Sequence, residues 1–391
     1  MTLRSLEFHN LKCFLALRLS LAPLTLLTGF NSAGKSTALH SILLLAQGLR
    51  LGYDFEYLSP NGTLVRLGSP GEVLSSHADE RRVQISVSTA EEDYLWSFVP
   101  ADSDVLPEPR KGMFRVEKTT RRIKGVDDIL EAKGSFRGDD ADSSELINAI
   151  GNVVFLNSER GKVSDVYMSP DNANVIHADV GREGQFAPWW YELATDEKID
   201  SIRRHPDEPA TSLRRQVDAY LNTLFPNTRV TANKVERTGF IQLKFGAGSD
   251  PEWHQPANVG YGIVYAFPII VAALLAKRGQ VLIIESPEAH LHPRAQSRMG
   301  EILARIASAG VQILVESHSD HVLNGIRLAV KKGIIPHSDV AIHFFGGADS
   351  EGNHGVVSPS IDSRGTIDKW PEGFFDQGES DLAVLAGWKD S

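Results

Sequence analysis

Residues 29–37 read GFNSAGKST, and no other stretch restricts the fold so severely. The pattern G-x-x-x-x-G-K-[ST] works only as a turn between a strand and a helix. Its glycines let the backbone curl until the N–H groups point inward at phosphate oxygens, and the helix start adds partial positive charge. Lys35 then reaches the β- and γ-phosphates, and the Ser36 hydroxyl meets Mg2+. The flanks supply the required context. LTLLTGF is apolar and strand-like, and STALHSILLLAQGLRLG carries apolar residues at helical spacing. Gly29, Asn31, Ser32, Ala33, Gly34, Lys35, Ser36 and Thr37 are therefore the expected nucleotide-binding residues, with ATP and Mg2+ as ligands.

Charge narrows the partners. A formal net charge of −10 excludes a generally basic surface, so nucleic acid would have to be met by a local patch. The basic segments Arg110–Lys124 and Arg203–Arg215 are the candidates, and solvated charged faces are the simpler reading of both. The single cysteine, Cys13, permits neither an internal disulfide nor a zinc hook within one chain. The N-terminus MTLRSLEFHN has no apolar signal core. The longest apolar run, IIVAALLA at 269–276, falls short of the roughly 18–20 residues of a membrane span. A soluble, cytoplasmic chain without membrane contact is expected.

Four regions follow from the pattern along the chain. Residues 1–100 alternate short apolar runs with turns (SLEFHNL, LKCFLALRLSL, RRVQISVST, DYLWSFV) and read as an N-terminal lobe holding the phosphate loop. Residues 101–235 change character: charge runs such as EKTTRRIKG and FRGDDADSSE separate weak elements, with one amphipathic helix at 211–225. This is an α+β insertion without heptads or repeats. Residues 236–345 alternate apolar runs (IQLKF, VLIIE, VQILVE) with helices, the pattern of parallel α/β structure. Residues 346–391 form a short tail with a hairpin strand and the aromatic segment DKWPEGFFDQ.

In the third region VLIIESPEAHLHP is an apolar strand ending in a carboxylate, the Walker B arrangement that sets Glu285 near the metal. Most ABC-type ATPases, which this arrangement resembles, follow with a second carboxylate that polarises the attacking water. Here Ser286 holds that position and the next acid is Glu288. Either Glu288 serves as base or Glu285 combines two roles. NVGYGIVYAFP stands where such ATPases carry the signature motif, so Asn258, Gly260 and Gly262 are expected to meet the γ-phosphate of the opposite subunit. VQILVESHSDH places His318 at the site of their switch histidine. The neighbouring His290, His292, His321 and Asp320 need no transition metal, because polar residues gather at the C-terminal ends of parallel strands.

Together GFNSAGKST, NVGYGIVYAFP, ESPEAHLHPRAQ and VESHSDHVLNGIR resemble the bacterial RecF-like and OLD-like ATPases of the SMC/ABC class, in particular small stand-alone members with a W-P-x-G-F-F-D tail, here Trp370–Asp376. FLNSERG around Arg160 and HADVGREG near Gly181 match faintly. The resemblance implies an α/β P-loop NTPase of ABC/SMC-head type with an inserted α+β region. It also implies a head-to-tail homodimer burying two ATP molecules, and work on DNA in repair or on defence against phage. No long coiled coil and no Toprim domain can be placed. The acids Asp139, Asp140, Asp142 and Glu145 lie in a polar run without a strand to hold them. The expected function is an ATP-hydrolysing switch that controls a separate effector, a nuclease or toxin, in antiviral defence. The alternatives are a RecF-like DNA-repair ATPase that binds DNA directly, and an ATP-sensing scaffold that barely hydrolyses.

Overall fold

The computed structural model describes residues 2–50, 56–101, 112–126, 129–135, 144–160, 163–170, 175–248, 251–348, 354–371, 373, 382 and 384–386. The acids Asp139, Asp140 and Asp142, and residues 372 and 374–376 of the aromatic tail, lie outside them.

The first lobe contains β1 (Ser5–Leu11), β2 (Phe14–Ser20), β3 (Leu24–Gly29), α1 (Lys35–Arg50), β4 (Tyr57–Leu58) and the short α2 (Pro70–Val73). It continues through β5 (Val83–Ser88), β6 (Glu92–Pro100), β7 (Phe114–Ile123) and β8 (Ile129–Lys133). An antiparallel sheet runs β2-β1-β5-β6-β7-β4, with β8 also on β7. The middle of the chain supplies α3 (Glu145–Gly151), β9 (Val154–Leu156), β10 (Val166–Met168), α4 (Ala187–Leu193), α5 (Leu213–Leu224), β11 (Thr228–Lys234), β12 (Phe240–Ala247) and β13 (Trp253–His254). Strands β10, β12, β11 and β13 form a small antiparallel sheet. The last part adds α6 (Tyr261–Leu275), β14 (Val281–Glu285), α7 (Pro293–Ser308), β15 (Gln312–Glu316), α8 (Asp320–Lys331), β16 (Val340–Ala348) and β17 (His354–Val357).

The central sheet runs β17-β16-β3-β15-β14-β9 and is parallel except for β17. Strands β14 and β15 are buried along their whole length, which is why they read as unbroken apolar runs. Alternate residues still serve different layers. Leu24, Leu26, Leu282, Ile284, Ile313 and Val315 join the core under α6, α7 and α8, whereas Leu27, Ile283 and Leu314 join the core of α1 and the antiparallel sheet. The sheet therefore divides two cores, and its strand ends lie between them.

Two boundaries expected from composition fall inside sheets. β7 comes from the charged run near EKTTRRIKG, yet it pairs along β6 and buries Phe114, Val116 and Thr119 on one face. Its charged residues are only the other face of an amphipathic strand. β9 lies at VFL within the expected insertion but pairs parallel to β14. β16 crosses the boundary at 345. The segment 101–235 thus completes both neighbouring sheets instead of standing apart from them.

Helices α7 and α8 cross through glycines. A Cβ at Gly300 would overlap the Val322 carbonyl, and one at Gly325 would overlap the Ser297 carbonyl. This crossing holds the start of α8, where Ser319 caps the helix by accepting from Val322 N at 3.1 Å. Gly325→Ala should force the helices apart and lower stability by about 1–3 kcal/mol in urea unfolding. An unchanged midpoint would show that the crossing tolerates a methyl group.

Candidate functional site

β3 ends at Gly29, where the chain turns directly beside β16. Gly29 has φ 126°, any Cβ there would overlap the Phe345 carbonyl, and Phe30 N donates to Phe345 O at 3.0 Å. Gly34, at φ 96°, lies against the Phe14 ring with no room for a side chain. Only glycine meets both demands. Lys35 opens α1, is 3% exposed, and donates to Gly29 O at 3.1 Å and Phe30 O at 2.7 Å. Burial lowers its pKa and Glu316 opposes the shift. The ammonium is folded onto its own loop, whose carbonyls occupy the role of phosphate oxygens.

Ser36 Oγ donates to both carboxylate oxygens of Glu316, at 3.2 and 3.0 Å. Glu316 ends β15 and Glu285 ends β14, directly opposite it in the parallel register. Glu285 accepts from Ser158 N at 3.1 Å, just beyond β9. The Glu288 carboxylate accepts from Ser317 Oγ at 2.9 Å and from His318 N at 2.8 Å. The His318 ring is half exposed, with Nε2 4.0 Å from Glu316 Oε1. Lys35, Ser36, Glu285, Glu288 and His318 are therefore brought together at the C-terminal edge of three adjacent parallel strands.

Crowding shows in the titrations. Burial, and then the Glu285 charge, push Glu316 up to about 7, against the pull of Lys35 and Ser36. Burial also raises Glu285, with Ser158 N–H, Arg160 and Arg182 opposing. Burial lowers His318, and Lys35 lowers it further while Glu288 opposes. A cavity of about 480 Å³ opens beside Glu285 and is lined in part by His40, Asn157 and Arg182.

Two participants escape the sequence reading. Glu316 was hidden behind the histidine that follows it, although VQILVE ends in an acid just as VLIIE does. Arg160 is 2% exposed and donates to Asn157 O and Ser286 O, each at 2.6 Å, and to Glu285 O. This buried cation, with its pKa depressed to about 10 by burial, ties β9 to the turn after β14. Ser286 itself sits at φ 44° and donates its N–H to Glu316 O at 2.8 Å. Its place is fixed through the backbone, and the acid held against the residues that follow β15 is Glu288.

Asn258, Gly260 and Gly262 stand apart from the loop. Gly260 caps α6 with open space around it, and Gly262 packs against the His290 carbonyl, where a Cβ would come within 2.6 Å. Tyr265 meets the His290 ring at 4.5 Å, and Tyr261 is 60% exposed. Among the described residues no hydrogen bond joins 258–262 to 29–37. The basic segments are largely engaged within the fold. Arg203 donates to Leu274 O and Ala276 O, Arg204 to Ile199 O, and Arg215 pairs with Glu208. Arg121 pairs with Glu92, Lys124 with Asp93 and Lys118 with Glu131.

Among the described residues no group of three or more His, Cys, Asp or Glu could hold a metal ion unaided. Mg2+ commonly takes only one or two carboxylates and completes its shell with phosphates and water. Ser36, Glu285 and Glu316 offer such hard oxygen ligands, and the raised pKa of Glu316 marks negative charge that a cation would relieve. They fit the ion.

A family model described as "AAA domain, putative AbiEii toxin, Type IV TA system" matches residues 24–324. The chain belongs to that AAA family. A second model, for a protein of unknown function (DUF3696), matches residues 335–385 of this AAA protein. No curated protein matches it. Among solved structures, an Smc head bound to the C-winged helix domain of ScpA is 13% identical, with 92% of this chain and 98% of that one covered and a TM-score of 0.51. An SMC head domain from Thermotoga maritima is 9% identical over 91% and 98% of the chains, with a TM-score of 0.43. An Smc head with an extended coiled coil, from Pyrococcus furiosus and bound to the C-terminal domain of ScpA, is 12% identical over 98% and 99%, with a TM-score of 0.49. The AAA protein has the fold of a P-loop NTPase of ABC/SMC-head type. No helix among its described residues is long and apolar enough to cross a membrane.

Because the folded pKa of Glu316 lies above its ordinary value of 4.5, the stability its neutral form contributes is lost as pH rises from there through about 7. In nucleotide-free protein, Glu316→Gln should match wild type near pH 4.5 and exceed its stability at about pH 8, by up to about 3 kcal/mol. A difference that does not change with pH would show that burial and the neighbouring carboxylate do not hold the Glu316 pKa above its ordinary value.

Proposed function

We propose that the protein is an ATP-hydrolysing switch whose nucleotide site is completed by a second copy of the chain and whose closure is read by a separate effector in defence against phage. The supporting observation is the convergence of Lys35, Ser36, Glu285, Glu288, Glu316 and His318 at one sheet edge. The family's description as a putative toxin of a type IV TA system agrees with a defence role. The engagement of the basic segments within the fold weighs against direct DNA binding through them.

When ATP enters, Lys35 exchanges the carbonyls of Gly29 and Phe30 for β- and γ-phosphate oxygens. The inward N–H groups of 29–37 and the start of α1 cradle the phosphates. Ser36, Glu285 and Glu316 would hold Mg2+, which supplies charge neutralisation on the β- and γ-phosphates. Glu288 orients the attacking water and accepts its proton, being held as an acceptor by Ser317 Oγ and His318 N. The water oxygen bonds to the γ-phosphorus while the bond to the β,γ-bridging oxygen breaks, leaving that electron pair on ADP. His318 faces the transferred group. Gly260 and Gly262 of a second copy would add backbone N–H groups at the start of α6, with Asn258 beside them, its own N–H held by Gln255 O at 2.9 Å.

Lys35→Ala should abolish steady-state phosphate release. Glu288→Gln should bind ATP normally and lose turnover by roughly 100-fold or more, while Glu285→Gln should instead weaken Mg2+ dependence. Wild-type hydrolysis by the Lys35 variant would refute the site. Mixing Lys35→Ala chains with chains altered at Gly260 and Gly262 leaves one intact composite site per heterodimer, so partial turnover should return. Heterodimers that form without any recovery would count against a shared site.

A further inference from the structure

The ring of Phe30 projects from the phosphate loop and is 47% exposed, yet it touches two other parts of the chain. It meets Phe344 of β16 edge-to-face at 5.7 Å. Gly373 in the tail, at φ 78°, also approaches it, and a Cβ there would overlap the tip of the ring. The approach leaves no room for a side chain at 373, so the ring cannot move toward the tail without displacing it.

The tail is also fastened at a second place. Ser360 donates N–H and Oγ to the Asp368 carboxylate at 2.8 and 2.7 Å, which closes residues 360–368 into a compact turn over buried Ile361 and Ile367. Arg327 of α8 donates to Gly365 O at 2.8 Å, and its guanidinium lies 5.4 Å from the centre of the Trp370 ring. Gly365 is close enough to Arg327 O that a Cβ would come within 2.5 Å. α8 begins two residues after His318. The tail therefore bridges the loop that grips phosphate and the helix that follows the switch histidine.

The loop end of this bridge carries the nucleotide-sensitive bonds. Lys35 Nζ holds the carbonyls of Gly29 and Phe30, the two peptide planes nearest the Phe30 side chain. Withdrawing the ammonium toward phosphate oxygens leaves both carbonyls without that donor. The Gly29–Phe30 plane stays pinned through Phe30 N to Phe345 O at 3.0 Å, so the Phe30–Asn31 plane is the one freed to turn.

We propose that Phe30 is a mechanical link that reports nucleotide occupancy of the phosphate loop to the described tail residues 354–371 and 373. The link rests on the ATP-binding reading above. Phe30 is a positioning residue here: it touches the tail rather than the reacting atoms.

Trp370 is a built-in probe, half exposed beside Arg327. Saturating the non-hydrolysing Glu288→Gln chain with ATP and Mg2+ should shift its tryptophan emission. That shift should vanish in Glu288→Gln chains that also carry Trp370→Phe or Phe30→Ala, and return with Phe30→Tyr. Gly373→Ala, which wedges the ring from the tail side, should move Trp370 emission without nucleotide. A fluorescent ATP analogue, with Lys35→Ala as the negative control, measures binding in every variant. ATP binding with no Trp370-dependent shift, or a shift that survives Phe30→Ala, would overturn the link and leave the nucleotide site standing. Failure of the analogue to bind would remove the nucleotide site and the link together.

Discussion

Parallel pairing of β3, β15 and β14 sets Leu27 level with Glu316 and Glu316 level with Glu285. This register places two carboxylates side by side at the end of the sheet, next to the loop that carries Lys35 and Ser36. Burial pushes each acid toward its neutral form, and burial with the Glu285 charge added pushes Glu316 up to about 7. The excess is only partly offset by Lys35, itself buried and folded onto its own loop. Such a site is poised for a ligand that brings its own cations and accepts an ammonium.

The backbone around this cluster is tied down by groups outside the reaction. Arg160 binds three carbonyls between β9 and the turn after β14. Ser286 holds an unfavourable φ while linking that turn to β15. Glycines at 29 and 34 let β16 and Phe14 approach the loop directly. Rigid packing on these sides makes the exposed start of α6 and the Phe30–Gly373 approach the proposed routes by which nucleotide state would pass to another chain or to the tail.

The phosphate loop was legible because its chemistry is local: nine consecutive residues state the turn, the cation and the hydroxyl. Glu285 was legible for the same reason, as the acid closing an apolar run. Glu316 was not, because its meaning depends on β15 lying between β3 and β14, and strand order is a property of the folded sheet. The part of β7 in EKTTRRIKG read as a charge run between weak elements, and the buried residues of the strand show their purpose only once β6 lies alongside. β9 is three residues long, too short for any period to show. FLNSERG around Arg160 gave only a faint family match, and the residue's part shows only in its burial and its three carbonyl partners.

The central claim is that ATP is enclosed between two copies of the chain, the phosphate loop of one facing the α6 start of the other. The most direct measurement is the mass in solution of the Glu288→Gln chain by light scattering, with and without ATP and Mg2+, beside the same chain carrying Gly260→Arg. A monomer of 42.9 kDa should double in mass on adding nucleotide, and the Gly260→Arg chain should bind ATP but stay single. A chain that saturates with ATP and remains at monomer mass would contradict the account.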